Sequence, residues 1–363
     1  MYNIRRAEKS DLDEIIDLVN KVFRAPDMPL SMGKQFPLLF SEENVDNLYL
    51  AENEEGKIIS HNGIKKHNIM IYGHQLSFAS MGAVCTDPDY QGQGIATKIL
   101  NNIFENLKRE NISLLTISGA RSLYTRQGAV LTSGKKEYLI DKTLEVNHNR
   151  NIKYYFDRNK VPEHINEITK IYHKEPVRYQ RKRWEFPLLI EAMPAVHDVP
   201  YPPDYAVLSM AKDQEIQAYI IGYFKDEQFK IIEYSGERSA VFKGLSYLQL
   251  ENNISEILID IPLYDKILID YLESVELQSK KSTYGATYKI MNEENFIKEI
   301  IPIIKEKAGS KILDIKKDIT VDISDNEELL HFIFDDYSRD DYVNNWNEVL
   351  PLPLPYPGCL NYI

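Results

Sequence analysis

The sequence predicts an α+β protein of mixed α/β sheets in three parts, and three observations lead there. The chain has 363 residues, enough for two or three domains at about 100–200 residues each. Strand-like and helix-like segments alternate over residues 1–150. From 151 a similar order of elements starts again without its glycine-rich turn, and a different pattern follows from 284. The expected domains are therefore 1–150, 151–283 and 284–363.

In the first part Tyr2–Arg5 is a strand, and Ser10 offers a side-chain oxygen to cap the next helix. There Leu12, Ile15, Ile16, Val19, Val22 and Phe23 recur at spacings of three and four, one apolar stripe. Pro26, Pro29, Gly33 and Pro37 keep 24–45 irregular. Leu48–Glu52, Lys57–Lys66 and Ile69–Ile71 read as strands of a meander, with turns at Asn53–Gly56 and Gly73. Leu76–Thr86 is a further strand. A helix from about Gly94 carries Ala96, Ile99, Leu100, Ile103 and Leu107 on one face. Ser113–Ser118 and Glu137–Ile140 are short strands.

In the second part Ile152–Phe156 is strand-like and Glu163–Tyr172 helical. Pro194 to Pro203 must be loop. Ala206–Ala211, Gln217–Phe224 and Phe229–Tyr234 are strands, Ser239–Leu250 a helix and Glu256–Ile261 a strand. Arg178, Arg181 and Arg183 read as a solvated helix face rather than an anion site. In the last part Ala286–Met291 is a strand, Asn295–Lys307 a helix, Lys311–Ile323 a hairpin and Asn326–Phe334 a helix. Pro351, Pro353, Pro355 and Pro357 keep the tail extended and out of any central strand. Its end, Leu360, Asn361, Tyr362 and Ile363, is apolar, which argues for docking.

Lys plus Arg number 43 and Asp plus Glu 55, a formal net charge of −12. That balance argues against non-specific nucleic-acid binding, which rests on cations at phosphates, and favours a cationic substrate. The two cysteines, Cys85 and Cys359, form no framework, so a reducing, cytoplasmic compartment is expected. No stretch approaches the about 20 apolar residues of a membrane span, and residues 1–11 lack a signal-peptide core. His61, His67 and His74 stand at no metal-ligand spacing and read as core or surface residues.

The informative stretch is Met81-Gly82-Ala83-Val84-Cys85-Thr86-Asp87-Pro88-Asp89-Tyr90-Gln91-Gly92-Gln93-Gly94-Ile95-Ala96-Thr97. It reads as a strand, a tight turn and a helix start. Gly92 and Gly94 allow conformations that side chains forbid, so successive N–H groups can converge on an anion. The helix start adds unpaired donors and partial positive charge. A chain of net charge −12 could hold a diphosphate this way. A dinucleotide turn needs a third glycine and an acidic residue about 20 positions on. A Walker loop needs a lysine, which is absent here.

Gln91-x-x-Gly94-x-Ala96, after a strand and Pro88, resembles the acetyl-CoA motif of the GNAT acetyltransferase superfamily. Tyr124-Thr125-Arg126-Gln127-Gly128 is similar to the tyrosine-before-glycine segment of many members. Three features resemble the enhanced-intracellular-survival subgroup: the Tyr124–Gly128 spacing, the run Tyr288-Lys289-Ile290-Met291 before a helix, and the apolar chain end. That subgroup joins a GNAT domain, a degenerate second GNAT-like domain and a sterol-carrier-like α+β domain whose tail returns to the active site. Gln91 and Gln93 stand where arginines are common, so phosphate contact would rest on backbone.

The resemblance implies direct acetyl transfer from coenzyme A to an amine, with acetyl-CoA as co-substrate and no metal. Val84, Cys85 and Thr86 would pair with the pantetheine arm, and a backbone N–H near Val84 would polarise the thioester. Gln91, Gly92, Gln93, Gly94, Ile95, Ala96 and Thr97 would hold the diphosphate, with Ser118 lining the slot. Cys85 has no neighbouring histidine to activate it, and this chemistry needs no acyl-enzyme. Tyr124 would protonate the leaving thiolate as general acid, and the Ile363 carboxylate would be the base, with Asp27 and Glu52 as substitutes. The expected acceptor is a small cationic amine, with no nucleic-acid or membrane partner; a homo-oligomer stays open. The rival reading is a non-catalytic acyl-CoA or lipid-binding module.

Overall fold

In the computed structural model, which describes residues 2–29, 31–144, 152–252, 254–309, 325–336 and 346–363, the chain divides into two units. The first comprises Met1–Thr132, Gly285–Pro355 and Ile363, the second Ser133–Tyr284 and Tyr356–Tyr362. The first opens with β1 (Tyr2–Arg6), α1 (Leu12–Phe23), α2 (Met32–Gln35), β2 (Leu48–Asn53), β3 (Ile58–Ile71) and β4 (His74–Thr86). It continues with α3 (Ile95–Arg109), β5 (Leu114–Ile117), α4 (Ser122–Thr125) and β6 (Val130–Leu131). The second unit holds β7 (Gly134–Ile140), β8 (Ile152–Arg158), α5 (Ile165–Lys174), β9 (Val177–Tyr179), α6 (Glu185–Ala192), β10 (Tyr205–Lys212) and β11 (Glu215–Lys225). β12 (Gln228–Gly236), α7 (Arg238–Asn252), β13 (Glu256–Pro262), α8 (Lys266–Ser274) and β14 (Ser279–Thr283) complete it. β15 (Thr287–Ile290), α9 (Glu293–Ala308) and α10 (Asn326–Phe334) return to the first. The expected hairpin Lys311–Ile323 lies outside the described residues.

Within the first unit the strand order is β1-β2-β3-β4-β5-β15-β6. Neighbours are antiparallel except β4 and β5, which are parallel. Within the second the order is β14-β7-β13-β12-β11-β10-β8, with β12 and β13 the parallel pair. Counted from β8, this repeats the first order position by position. Each sheet takes its sixth strand from a distant stretch of chain: β15 lies between β5 and β6, and β7 between β13 and β14. Glu137–Ile140, read from the sequence with residues 1–150, therefore sits in the second sheet.

The helix stripes are met in part. In α3, Ile99, Leu100, Ile103 and Leu107 are buried in one core with Tyr49, Ala51, Ile64 and Met81, but Ile95 joins them in place of Ala96, which is half-buried. α1 packs on β3 and β4 and buries Ile15 and Val19 as expected, together with Leu18, while Phe23 is exposed. Its start differs from the reading above. Ser10 does not cap it; Glu8 and Asp11 form a reciprocal capping box around a 3-10 turn, Lys9–Asp11. Lys57–Lys66 and Ile69–Ile71 are one strand, because His67 and Asn68 keep their register with Phe78 and Ser77. α9 starts earlier than read, with the Asn292 side chain accepting from Asn295 N. Among the described residues no helix is long and apolar enough to cross a membrane.

The arginine run is not a solvated helix face. Arg178 lies on β9 and Arg183 is exposed, but the Arg181 side chain is 0% exposed. Its Nη1 and Nη2 donate to Glu233 Oε1 and Oε2 at 3.0 and 2.8 Å, and its plane covers the Tyr172 and Phe186 rings at 4.2 and 4.6 Å. Nη2 also donates to Asn361 Oδ1 at 2.7 Å, and Tyr219 OH donates to Glu233 Oε1 at 2.9 Å. A buried guanidinium is tolerable only because every side is matched by carboxylate, amide or ring.

Two predictions follow from these buried groups. Arg181→Ala leaves the Glu233 charge buried without a cation, so it should destabilise the second unit by about 3–5 kcal/mol. Replacing both partners, as Arg181→Met with Glu233→Leu, should recover most of that in chemical denaturation. In the first unit burial lowers the His61 pKa from 6.5 to about 4 and that of His67 to about 3. Between those values and 6.5 the unfolded chain binds protons that the folded chain refuses. Stability should therefore fall as pH drops from 6.5 toward 4, by up to about 1.4 kcal/mol per pH unit per histidine. Unfolding midpoints at pH 7, 6 and 5 read this, and His67→Gln should flatten the trend.

Candidate active site

Strands β4 and β5 are in register from Phe78–Leu114 to Met81–Ile117, and Ser118 N donates to Met81 O at 3.2 Å. Their closed end is clamped from α9. Glu299 Oε2 accepts from Ser77 N and Ser77 Oγ, both at 2.9 Å, and from Ser113 Oγ at 2.5 Å. Beyond Met81, β4 runs on to Thr86 with no described strand beside it on the β5 side. On its other edge it stays with β3, but the register slips. His61 faces Cys85 while Gly63 faces Gly82, so Ala83 and Val84 together oppose Asn62. This is a β-bulge, and Ala83 takes φ 51 within it.

The open arm of β4 ends in the turn singled out by the sequence. Asp87 is 1% exposed; its side chain accepts from Asp89 N, capping the short turn Pro88–Tyr90. Burial alone would raise its pKa, but bonds from Lys21, the Asp89 amide and Lys57 outweigh that and hold the carboxyl below its usual range. This anchors the strand end to α1 and to the start of β3. Gly92 and Gly94 then take φ 77 and φ 74, and a Cβ on either would meet nothing within 4 Å. They are needed for conformation, and the turn faces open space. Gln91, Gly92, Gln93 and Gly94 are exposed, Ile95 is buried, and Ala96 and Thr97 are half-buried at the head of α3. The first N–H groups of that helix have no partner within the helix. Open glycine amides beside a helix start fit a diphosphate.

Tyr124, on the one-turn helix α4, is 3% exposed and belongs to the same core as Val84, Ile95 and Ala129. Tyr124 thus shares one apolar core with the end of β4 and the start of α3. Burial pushes the Cys85 thiol up to about 12, so it stays protonated near neutrality and is a poor nucleophile. Glu52 is bound by Arg5 at 2.9 Å, and Asp27 is exposed. Ser118 Oγ donates to Ile363 O at 2.5 Å, which puts the last residue where β4 and β5 part.

Sequence reading missed two residues here. Glu299 clamps the strands from far along the chain, and nothing local marks it. Gly82 did carry a signal, since glycine inside a strand marks close approach of another chain. A Cβ there would lie 2.5 Å from Ile363 O.

The second unit has an equivalent junction, between β12 and α7, and fills it with its own side chain. Gly236 N donates to Glu175 Oε1 at 2.7 Å, and Arg238 Nη1 and Nη2 hold both Glu175 oxygens at 2.8 and 2.9 Å. A carboxylate of the chain takes the donors that the first unit leaves open.

The class this geometry defines is matched directly. Residues 3–131 fit the model of the acetyltransferase (GNAT) domain, and this part of the chain is a GNAT-type acetyltransferase domain. Solved structures extend the likeness in fold to most of the chain. A conserved protein of Enterococcus faecalis V583, described as a probable N-acyltransferase, has TM-score 0.66 at 16% identity, covering 82% of this chain and 75% of its own. A GCN5-related N-acetyltransferase of Anabaena variabilis has TM-score 0.60 at 13% identity, covering 80% and 73%. Eis1 of Mycobacterium abscessus has TM-score 0.56 at 12% identity, covering 80% and 74%. No curated protein matches the sequence.

The crowding at Gly82 predicts that Gly82→Ala displaces Ile363 from Ser118. Hydrogen exchange should then be faster at the last residues and unchanged across the Glu299 clamp.

Proposed function

We propose that this chain transfers the acetyl group of acetyl-CoA to the primary amine of a small cationic acceptor. One observation carries the reading: the β4 edge from Gly82 to Thr86 has no described partner on the β5 side and runs into the open Gly92–Gly94 turn. In this reading the amides from Gln91 to Thr97 hold the diphosphate. The main chain of Val84, Cys85 and Thr86 pairs with the pantetheine arm as an added strand would. Acetyl-CoA supplies the thioester, and the Val84 N–H donates to its carbonyl oxygen as charge grows there.

The amine nitrogen bonds to the carbonyl carbon and the carbon–sulfur bond breaks. Tyr124, whose phenol is a proton donor at neutral pH, protonates the departing thiolate. The Ile363 carboxyl group takes the proton that the amine loses, oriented by the hydrogen bond from Ser118. The net charge of −12 supports a cationic acceptor through its long-range field.

The test is thiol release from acetyl-CoA with a panel of polyamines, aminoglycosides and lysine peptides, beside calorimetry with coenzyme A. Tyr124→Phe should lower kcat by about 100-fold or more and leave coenzyme A affinity within about twofold. Appending one glycine after Ile363 should lower kcat as well. Coenzyme A binding with no release from any amine, or a Tyr124→Phe variant at the wild-type rate, would overturn the reading.

A further inference from the structure

We propose that His61 is a positioning residue for acetyl transfer, its ring holding the β4 bulge at Ala83 and so fixing the direction of the Val84 amide. This rests on the β4–β5 opening being the acetyl-CoA site, and it adds a residue that neither motif contains.

The argument starts from the strain in the bulge. Ala83 sits at φ 51, the left-handed region that a Cβ disfavours. Such a residue persists only where its surroundings determine it. Its carbonyl, taken out of the ladder by the register slip, lies 3.0 Å from His61 Nδ1. A carbonyl can only accept, so Nδ1 carries the proton and Nε2 is bare. Burial, which holds the ring neutral with a pKa of about 4, agrees with that tautomer.

The ring has nowhere else to go. His61 is 0% exposed, lies 5.8 Å from the Phe40 ring, and has its Cε1 3.2 Å from where a Cβ on Gly63 would be. Its Nε2 is buried with no partner. An apolar side chain would fill this space without that unsatisfied nitrogen. What the imidazole adds is the Nδ1–H to Ala83.

The carbonyl two residues on toward the turn is also held by a side chain, with Ser60 Oγ donating to Cys85 O at 2.8 Å. Both carbonyls flanking Val84 are therefore held from the β3 side. Val84 lies between these two held carbonyls, on the stretch of β4 that β5 has left, and in this proposal its N–H is aimed at that edge, where a thioester oxygen would need a donor. If the Ala83 carbonyl came loose, the bulge could relax and the Val84 N–H would swing off that line.

The experiment compares His61→Leu, which keeps bulk and loses the donor, with His61→Asn, whose Nδ2 stands as many bonds from Cβ as the histidine Nδ1. Full-length protein is assayed for thiol release with its best amine, for coenzyme A affinity, and for amide exchange at Ala83–Cys85. The expected result is kcat at least tenfold lower in His61→Leu, KM for acetyl-CoA within about twofold, and faster exchange at Val84. His61→Asn should restore kcat to within about threefold. Wild-type kcat in His61→Leu, or an equal loss in a folded His61→Asn, overturns the proposal. If the wild-type protein acetylates no amine, the functional reading fails by itself, and His61 is judged by exchange: no change at Ala83–Cys85 in His61→Leu overturns it. Should His61→Leu not fold, nitrogen-15 shifts of the wild-type ring decide, since a proton on Nε2 rather than Nδ1 overturns it.

Discussion

Parallel strands β4 and β5 share hydrogen bonds only as far as Met81 and Ile117, and the candidate site depends on their parting there. A sheet that stayed paired would satisfy its own backbone and leave nothing for a ligand. Two devices hold the parting in place. At the closed end the Glu299 carboxylate collects two serine hydroxyls and an amide, which pins the strands together. At the open end a bulge against β3 bends β4 away and sets its backbone direction. With one end fixed and the other turned, the remaining strand edge becomes a rigid wall, which suits a site that must align reacting atoms.

The two units make opposite use of one topology. Both place a parallel strand pair at the same position in the sheet, and both start a helix from the strand before the gap. In the first unit the junction is two bare glycines facing open space. In the second, Gly236 and Arg238 are taken up by Glu175, and a cavity of about 720 Å³ beside them is lined by Glu175, Arg238, Tyr264 and Asp265. Internal neutralisation removes the electrostatic reason for an outside anion to bind there. The copy that kept its donors exposed is the one that carries the GNAT match at residues 3–131.

Much of this was legible in the sequence, and what was not shares a cause. The apolar run in Gln217–Phe224 and the stripe of Ile99, Leu100, Ile103 and Leu107 act over one strand or a few turns, so local pattern finds them. Gly92 and Gly94 were legible because backbone with positive φ selects glycine. Arg181 was misread because its partners, Glu233, Tyr172 and Asn361, come from separate elements, and spacing alone makes a basic run look like a wet surface. Glu299 and His61 gave no signal for the same reason, as each acts on a strand that it meets only in the fold. Sheet membership was hidden too. A strand such as Thr287–Ile290 looks the same whichever neighbour it will join, because its ladder partners are not part of its own sequence.

The exchanged sixth strands bear on how the molecule is made. The amino-terminal sheet needs Thr287–Ile290 between β5 and β6, so it cannot close until the ribosome has delivered a stretch encoded after nearly all of the second unit. A nascent chain of 150 residues would expose the edge of β5 to any passing strand. Assembly of the first sheet is thus tied to translation of the second unit, and the glycine turn at residues 91–97 gains its complete scaffold late in synthesis.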